Sequence, residues 1–191
     1  ADELYAFMEF VNAGNESANA ELTANIVVNK SLDGNPREWF PIGYYYDRDG
    51  DGSDEDINYT GTFNGNNHTI SGLYFNNFNQ VCIGLFGQIS KYAEIKNVGV
   101  INSFFSGKDK IGGICGENSG TITNCYNTGS VNGDSYVGGI CGCNSSSKKQ
   151  ISNCYNIGSI NGDFQVGGIC GVNRSTIRSC YNTGSVNGDS Y

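Results

Sequence analysis

Three stretches of the chain read almost as one: IGGICGENSGTITNCYNTGSVNGDSY from Ile111, VGGICGCNSSSKKQISNCYNIGSINGDFQ from Val137, and VGGICGVNRSTIRSCYNTGSVNGDSY from Val166. Their first cysteines fall at Cys115, Cys141 and Cys170, spaced 26 and 29 residues apart. The cysteines of Cys-Tyr-Asn fall at Cys125, Cys154 and Cys180, spaced 29 and 26. The difference is a single insertion between Asn144 and Ile151. A drifted copy precedes them, IGLFGQISKYAEIKNVGVINSFFSGKDK, with Phe86 in the place of Cys115 and Val98 in that of Cys125. Self-similarity at a fixed period, with insertions confined to one turn, is the mark of a solenoid.

Each copy offers three short runs, around Gly-Ile-Cys-Gly, Ile-x-x-Cys-Tyr-Asn and Gly-Ser-Val or Gly-Ser-Ile. They are too short for ordinary helices and are punctuated by Gly, Asn, Asp and Ser, which favours strands. Three strands per copy predict an all-β fold, a right-handed parallel β-helix with coils about 4.8 Å apart. Ile114, Cys115, Ile122, Cys125 and Val131 are sorted inward or outward by strand parity. Glycine at the corners is expected to supply positive φ. Asn118, Asn144 and Asn173, and likewise Asn127, Asn156 and Asn182, are expected to stack as amide ladders. Leucine-rich repeats are the rival architecture, but the units have neither the Leu frame nor a helical stretch.

The segments Gly84-Leu85-Phe86-Gly87, Gly113-Ile114-Cys115-Gly116, Gly139-Ile140-Cys141-Gly142 and Gly168-Ile169-Cys170-Gly171 resemble the GLUG motif. The upstream Trp39-Phe40-Pro41-Ile42-Gly43 and the run Gly61–Leu73 resemble the segment that precedes such repeats. The resemblance departs from the family in placing Cys where an aliphatic or aromatic residue is usual. It implies a β-helix module of a large secreted or surface-attached bacterial protein, adhesin-like or part of an IgA-directed peptidase, and it implies no catalytic residues.

Residues 2–12 place Leu4, Phe7, Met8 and Val11 at helical spacing behind acidic Asp2 and Glu3, predicting an amphipathic helix that plugs the first coil. Leu22–Asn29 and Ile70–Phe75 read as strands. Residues 1–80 are therefore expected to form a cap and first coils. Residues 81–191 form the tandem repeats, about 81–110, 111–136, 137–165 and 166–191. Residues 182–191 repeat residues 127–136 letter for letter, so the array is expected to be truncated at its C-terminus.

With a net charge of −8, nonspecific attraction to nucleic acid or anionic lipid is not expected. Residues 1–78 hold 13 of the 19 acidic side chains, so the acidity belongs to the first part. No apolar run is long enough to span a membrane. Only 2 prolines among 191 residues argue against a Pro-rich disordered chain.

Within DRDGDGSDED, Asp47, Asp49, Asp51, Ser53 and Glu55 match the first part of a calcium loop, whose alternate oxygens converge on one hard cation. Asn58 stands at position twelve, where a bidentate Glu is wanted, and a solvated acidic loop is the alternative. Cys141-x-Cys143 is not a zinc spacing. The eight cysteines are expected to be free thiols, with Cys115, Cys141 and Cys170 in one interior ladder and Cys125, Cys154 and Cys180 in another. His68, the only histidine, has no nucleophile motif beside it. Trp39, Tyr44, Tyr45 and Tyr46 form an aromatic cluster, for which burial against the cap outweighs sugar stacking. If Cys125 points inward, alternation turns Tyr126, Tyr155 and Tyr181 outward as a stripe, either a binding face or simple stacking. Asp134, Asp163 and Asp189 align at Asn-Gly-Asp corners.

These features predict a non-catalytic surface or secreted repeat module, an adhesin-like stalk or binding scaffold, with calcium the one cofactor to consider. Its expected partner is a glycan or a matrix or host protein, with no nucleic acid. The alternatives are a polysaccharide lyase, or a non-catalytic part of a larger surface peptidase. A lyase gathers a basic residue and carboxylates on one face, whereas Lys148, Lys149, Arg174 and Arg178 are scattered.

Overall fold

Every strand pairing among the described residues is parallel, and the pairs join matching letters of successive repeats. The computed structural model describes residues 1–44, 57–145 and 149–189. Cys115 pairs with Cys141 and Cys141 with Cys170; Tyr126 pairs with Tyr155 and Tyr155 with Tyr181. The drifted copy takes its expected rung, with Phe86 beneath Cys115, Ile95 beneath Ile122 and Gly99 beneath Tyr126. The result is a parallel β-solenoid of about four turns.

The coil has three faces. The first is built from Phe86–Ile89, Cys115–Asn118, Cys141–Asn144 and Cys170–Asn173. The second stacks Thr62–Ser71 and Glu94–Ile101 under paired shorter strands such as Thr121–Thr123 and Tyr126–Asn127. The third carries Phe104–Ser106, Ser130–Gly138, Ile160–Gly167 and Val186–Gly188.

Two faces are creased, and the residues at the creases correct the expectation about glycine. Asn97, Asn124, Asn153 and Ser179 are left-handed on the second face, with φ between 52° and 55°. Cys82, Lys110, Tyr136 and Gln165 are left-handed on the third, with φ between 53° and 60°. No described glycine of the repeats has a left-handed φ. A left-handed L-residue costs about 1–2 kcal/mol, a strain that in-register pairing on both sides offsets.

Repeat glycines supply space instead. A Cβ on Gly116, Gly142 or Gly171 would lie 2.5 Å from the carbonyl carbon of Cys82, Lys110 or Tyr136 on the coil beneath. A Cβ on Gly113, Gly139 or Gly168 would strike the side-chain amide of Asn127, Asn156 or Asn182, which crosses the same coil. The two glycines of Gly-Ile-Cys-Gly thus serve two different contacts. The Ile and Cys between them are fully buried at 114–115 and 140–141.

The interior changes character along the axis. Near the N-terminus, Trp39, Tyr59, Phe63, Phe75, Phe86 and Phe105 are almost fully buried, whereas Ile, Val and Cys fill the later coils. Buried asparagines take over two apolar columns. Asn118 pairs with Ile89 below it, and Asn127 with Val100. As expected, they form ladders: the Asn118 amide donates to Asn144 at 2.8 Å and Asn144 to Asn173 at 2.7 Å. Asn127 donates to Asn156 at 2.8 Å and Asn156 to Asn182 at 2.7 Å.

The helix forms where expected, at Asp2–Asn12, and lies over the aromatic end of the core. Leu4, Met8 and Val11 are buried, and Tyr5 is buried more deeply than the expected Phe7. Tyr5 and Trp39 meet edge to face with ring centroids 5.3 Å apart, and Tyr5 donates to the Glu38 carbonyl at 2.7 Å. Phe7 sits at the rim against Tyr59 and Phe63. Met8→Ala is expected to cost about 2–5 kcal/mol by urea denaturation; a loss below about 1 kcal/mol would show that the helix is not a seal.

Two strand expectations are corrected. Leu22–Asn29 contributes only Ile26–Val27, with Ala20–Glu21 before it, because Asn25 leaves the ladder to accept from the Thr69 amide. Ile70–Phe75 belongs to two strands, Thr62–Ser71 and Tyr74–Asn76, parted by Gly72 at φ +75°.

Candidate functional site

Strand alternation carries the tyrosines outward between two buried neighbours. Cys125 and Asn127 are fully buried, and Tyr126 between them is half-exposed, as is Tyr155; Tyr181 is 56% exposed. The rings of Tyr126 and Tyr155 stack at 4.8 Å and 2°, and those of Tyr155 and Tyr181 at 5.2 Å and 6°. The column ends on Gly99, whose missing Cβ leaves room for the Tyr126 ring. Within the column the ring faces are turned to one another, so the stripe presents ring edges and hydroxyls to solvent. That geometry suits hydrogen bonding rather than face-on sugar stacking.

A shallow groove on the third face holds a second set of outward residues, including Lys108, Asp109, Asp134, Tyr136, Asp163 and Phe164. Asp134 and Asp163 follow glycines paired rung to rung, so the Asn-Gly-Asp corners align as expected. Beside this repeated column the letters change: Asp109, Ser135 and Phe164 occupy one register position. Glu117, Cys143 and Val172 occupy another on the first face. Lys110 reaches Glu117 at 2.7 Å, and burial pushes the Asp109 carboxyl above its ordinary value. These variable positions were overlooked in the sequence. The available signal was their change of identity inside otherwise constant repeats.

All eight cysteines are free, and all lie within residues 81–191. The thiols of Cys115 and Cys141 face the interior and point to carbonyls two residues onward, Glu117 and Cys143, each at 3.2 Å. Burial pushes the Cys82 thiol up to about 12 and lifts Cys141 and Cys143. Cys154 is pushed up to about 12 mainly by its hydrogen bond with the Cys125 thiol. A buried neutral thiol is a poor nucleophile. Alkylation of the native protein near pH 8 is expected to spare Cys82, Cys141, Cys143 and Cys154, and denaturant to release all eight. Native labelling at the denatured rate would contradict this burial.

Raised thiol values also fix the sign of a pH effect. Folding favours the neutral form, so the contribution is complete below the ordinary value of 9.0 and is lost as pH climbs towards 12. The urea midpoint is therefore expected to fall over that range.

The remaining candidates separate. Trp39 is fully buried and donates its indole N–H to Gly84 at 3.1 Å; Tyr44 is 9% exposed and donates to Gln80 at 2.9 Å. His68 lies on the second face beside Val98. Asp47, Asp49, Asp51, Ser53 and Glu55 lie outside the described residues, as do Tyr45, Tyr46 and Lys148. Among the described residues no group of three His, Cys, Asp or Glu is placed to hold a metal, and no helix is long and apolar enough to cross a membrane.

Comparison with known proteins agrees with this architecture. The family model of the GLUG motif matches residues 111–132 and 162–187. A stretch of 85 residues, 44% of the chain, is 33% identical to halomucin of Haloquadratum walsbyi and covers 1% of that protein. The fold matches a crystal structure from Bacteroides ovatus described as a candidate immunoglobulin A1 protease, with a TM-score of 0.68 and 26% identity. That match covers 90% of this chain and 52% of the other. The chain thus spans about half of its structural relative and a small part of halomucin. It carries the GLUG motif, repeated along a parallel β-solenoid.

Proposed function

We propose that the chain is a non-catalytic, adhesin-like binding scaffold within a larger secreted or cell-surface protein. The observation that carries this reading is the division of labour among positions. Interior letters of the three close copies repeat from coil to coil, while one outward column, Asp109, Ser135 and Phe164, changes at a fixed register. A rigid frame with changeable outer side chains suits recognition. Burial of Cys82, Cys141, Cys143 and Cys154, with their thiol values raised, supports the non-catalytic reading.

Glycan and matrix-protein arrays test the proposal. The chain is expected to bind a defined ligand, and a variant with Tyr136→Ala and Phe164→Ala is expected to lose it while keeping its β-rich circular dichroism. Failure to bind any surface, or release of unsaturated sugar products, would overturn the reading. A second reading, a non-catalytic part of a larger surface peptidase, is favoured by the similarity to the Bacteroides ovatus chain. It is distinguished by tethering: deleting this segment from the whole protein would lower substrate capture and leave cleavage of a short peptide unchanged.

A further inference from the structure

The tyrosine column has a chemical property that goes beyond binding. Tyr126, Tyr155 and Tyr181 lie on in-register rungs, and their rings face one another at 4.8 and 5.2 Å with almost no tilt. The next residue of each strand fixes that alignment. Asn127, Asn156 and Asn182 are joined amide to amide at 2.8 and 2.7 Å, so the tyrosines cannot slip in register without breaking a buried ladder. Their hydroxyls have no hydrogen-bond partner among the described residues, and the column is reached from solvent, most freely at Tyr181. Phenols held together in this way meet at an effective concentration far above that of two separate molecules.

We propose that this column is a site of oxidative cross-linking, at which a one-electron oxidant, such as a peroxidase turning over hydrogen peroxide, joins neighbouring coils through dityrosine. Each of two phenols loses one electron and one proton, giving two phenoxyl radicals. The radicals couple through carbons ortho to the hydroxyls, forming one carbon–carbon bond. The hydrogen on each coupled carbon then passes through solvent to the ring oxygen, restoring both phenols. The two electrons and two protons removed convert one hydrogen peroxide into two waters. Tyr155 belongs to both neighbouring pairs, so the first bond formed in the column is Tyr126–Tyr155 or Tyr155–Tyr181. The bond closes a loop of one full coil and restrains the unfolded chain as a disulfide does.

Treatment of the chain with peroxidase and hydrogen peroxide, followed by peptide mass spectrometry, tests this. A monomeric product is expected that has lost two hydrogens, shows dityrosine fluorescence, and contains Tyr155 joined to Tyr126 or Tyr181. Tyr155→Phe keeps a stacked ring and the fold, and should abolish the intramolecular product. Tyr126→Phe should leave only Tyr155–Tyr181. Tyr92→Phe, which removes the hydroxyl of a tyrosine that is 73% exposed and outside the column, should change nothing. Cross-links confined to pairs of molecules, an undiminished intramolecular yield in Tyr155→Phe, or an equal yield in denaturant would overturn the proposal. None of these outcomes depends on whether the scaffold binds a ligand.

Discussion

Gly142→Ala is expected to destabilise the chain by about 3 kcal/mol or more, at the upper end of overpacking penalties. The added Cβ would meet backbone only: the Lys110 carbonyl carbon at 2.5 Å, the Ile111 nitrogen at 2.6 Å and the Lys110 Cα at 2.7 Å. No side chain is there to rotate away. Relief requires widening the gap between two hydrogen-bonded coils, which breaks pairing on the first and third faces together. Where space exists, the same substitution raises stability by about 0.4–1 kcal/mol through the unfolded state, so the sign itself is diagnostic. Thr128→Ala, at a half-exposed position, serves as the control and should fall within about 0.5 kcal/mol of the parent. Urea denaturation followed by circular dichroism reads both. A neutral or stabilising Gly142→Ala would mean that the coils do not approach as closely as described.

Asn156→Ala is expected to cost about 3 kcal/mol, for a different reason. Asn156 is fully buried, accepts from the Asn127 amide and the Gly158 N–H, and donates to Asn182 and to the Gly158 carbonyl. Alanine leaves the Gly158 N–H and one Asn127 proton without acceptors in a dry interior, at about 1–3 kcal/mol for each such group. Asn182→Ala removes an equivalent residue from the last described coil, where the site is only half-buried and water can replace the lost bonds. The penalty there should be distinctly smaller. Equal losses at the two positions would show that burial is not what makes the ladder costly to break. A loss below about 1 kcal/mol at Asn156 would show that its amide bonds are dispensable.

The same two residues mark how far the sequence could be read. Repetition at fixed spacing was enough to stack Cys115, Cys141 and Cys170, to align both asparagine ladders, and to turn the tyrosines outward, because in-register parallel pairing superimposes equal letters. The role of glycine was not legible. Its usual signal is conformational, whereas Gly116 and Gly142 are needed for clearance from a coil that is distant in sequence. The creases were hidden for the converse reason. Lys110, Tyr136 and Gln165 are not turn formers, and only the pairing around them holds their backbone left-handed. The depth of Tyr5 within the cap was missed because helical spacing cannot foresee a Trp39 ring supplied from elsewhere. The groove beside Asp134 and Asp163 was visible only as variation, which an eye trained on identity passes over.

A crystal structure of the chain tests the stacking most directly, through the spacing and register of the columns. Cys115, Cys141 and Cys170 should lie over one another about 4.8 Å apart, with the amides of Asn118, Asn144 and Asn173 bonded in series and Gly142 lying on the backbone of Lys110. Electron density showing the Gly-Ile-Cys-Gly segments on separate axes, or the two asparagine columns out of register, would contradict the solenoid and the scaffold role built on it.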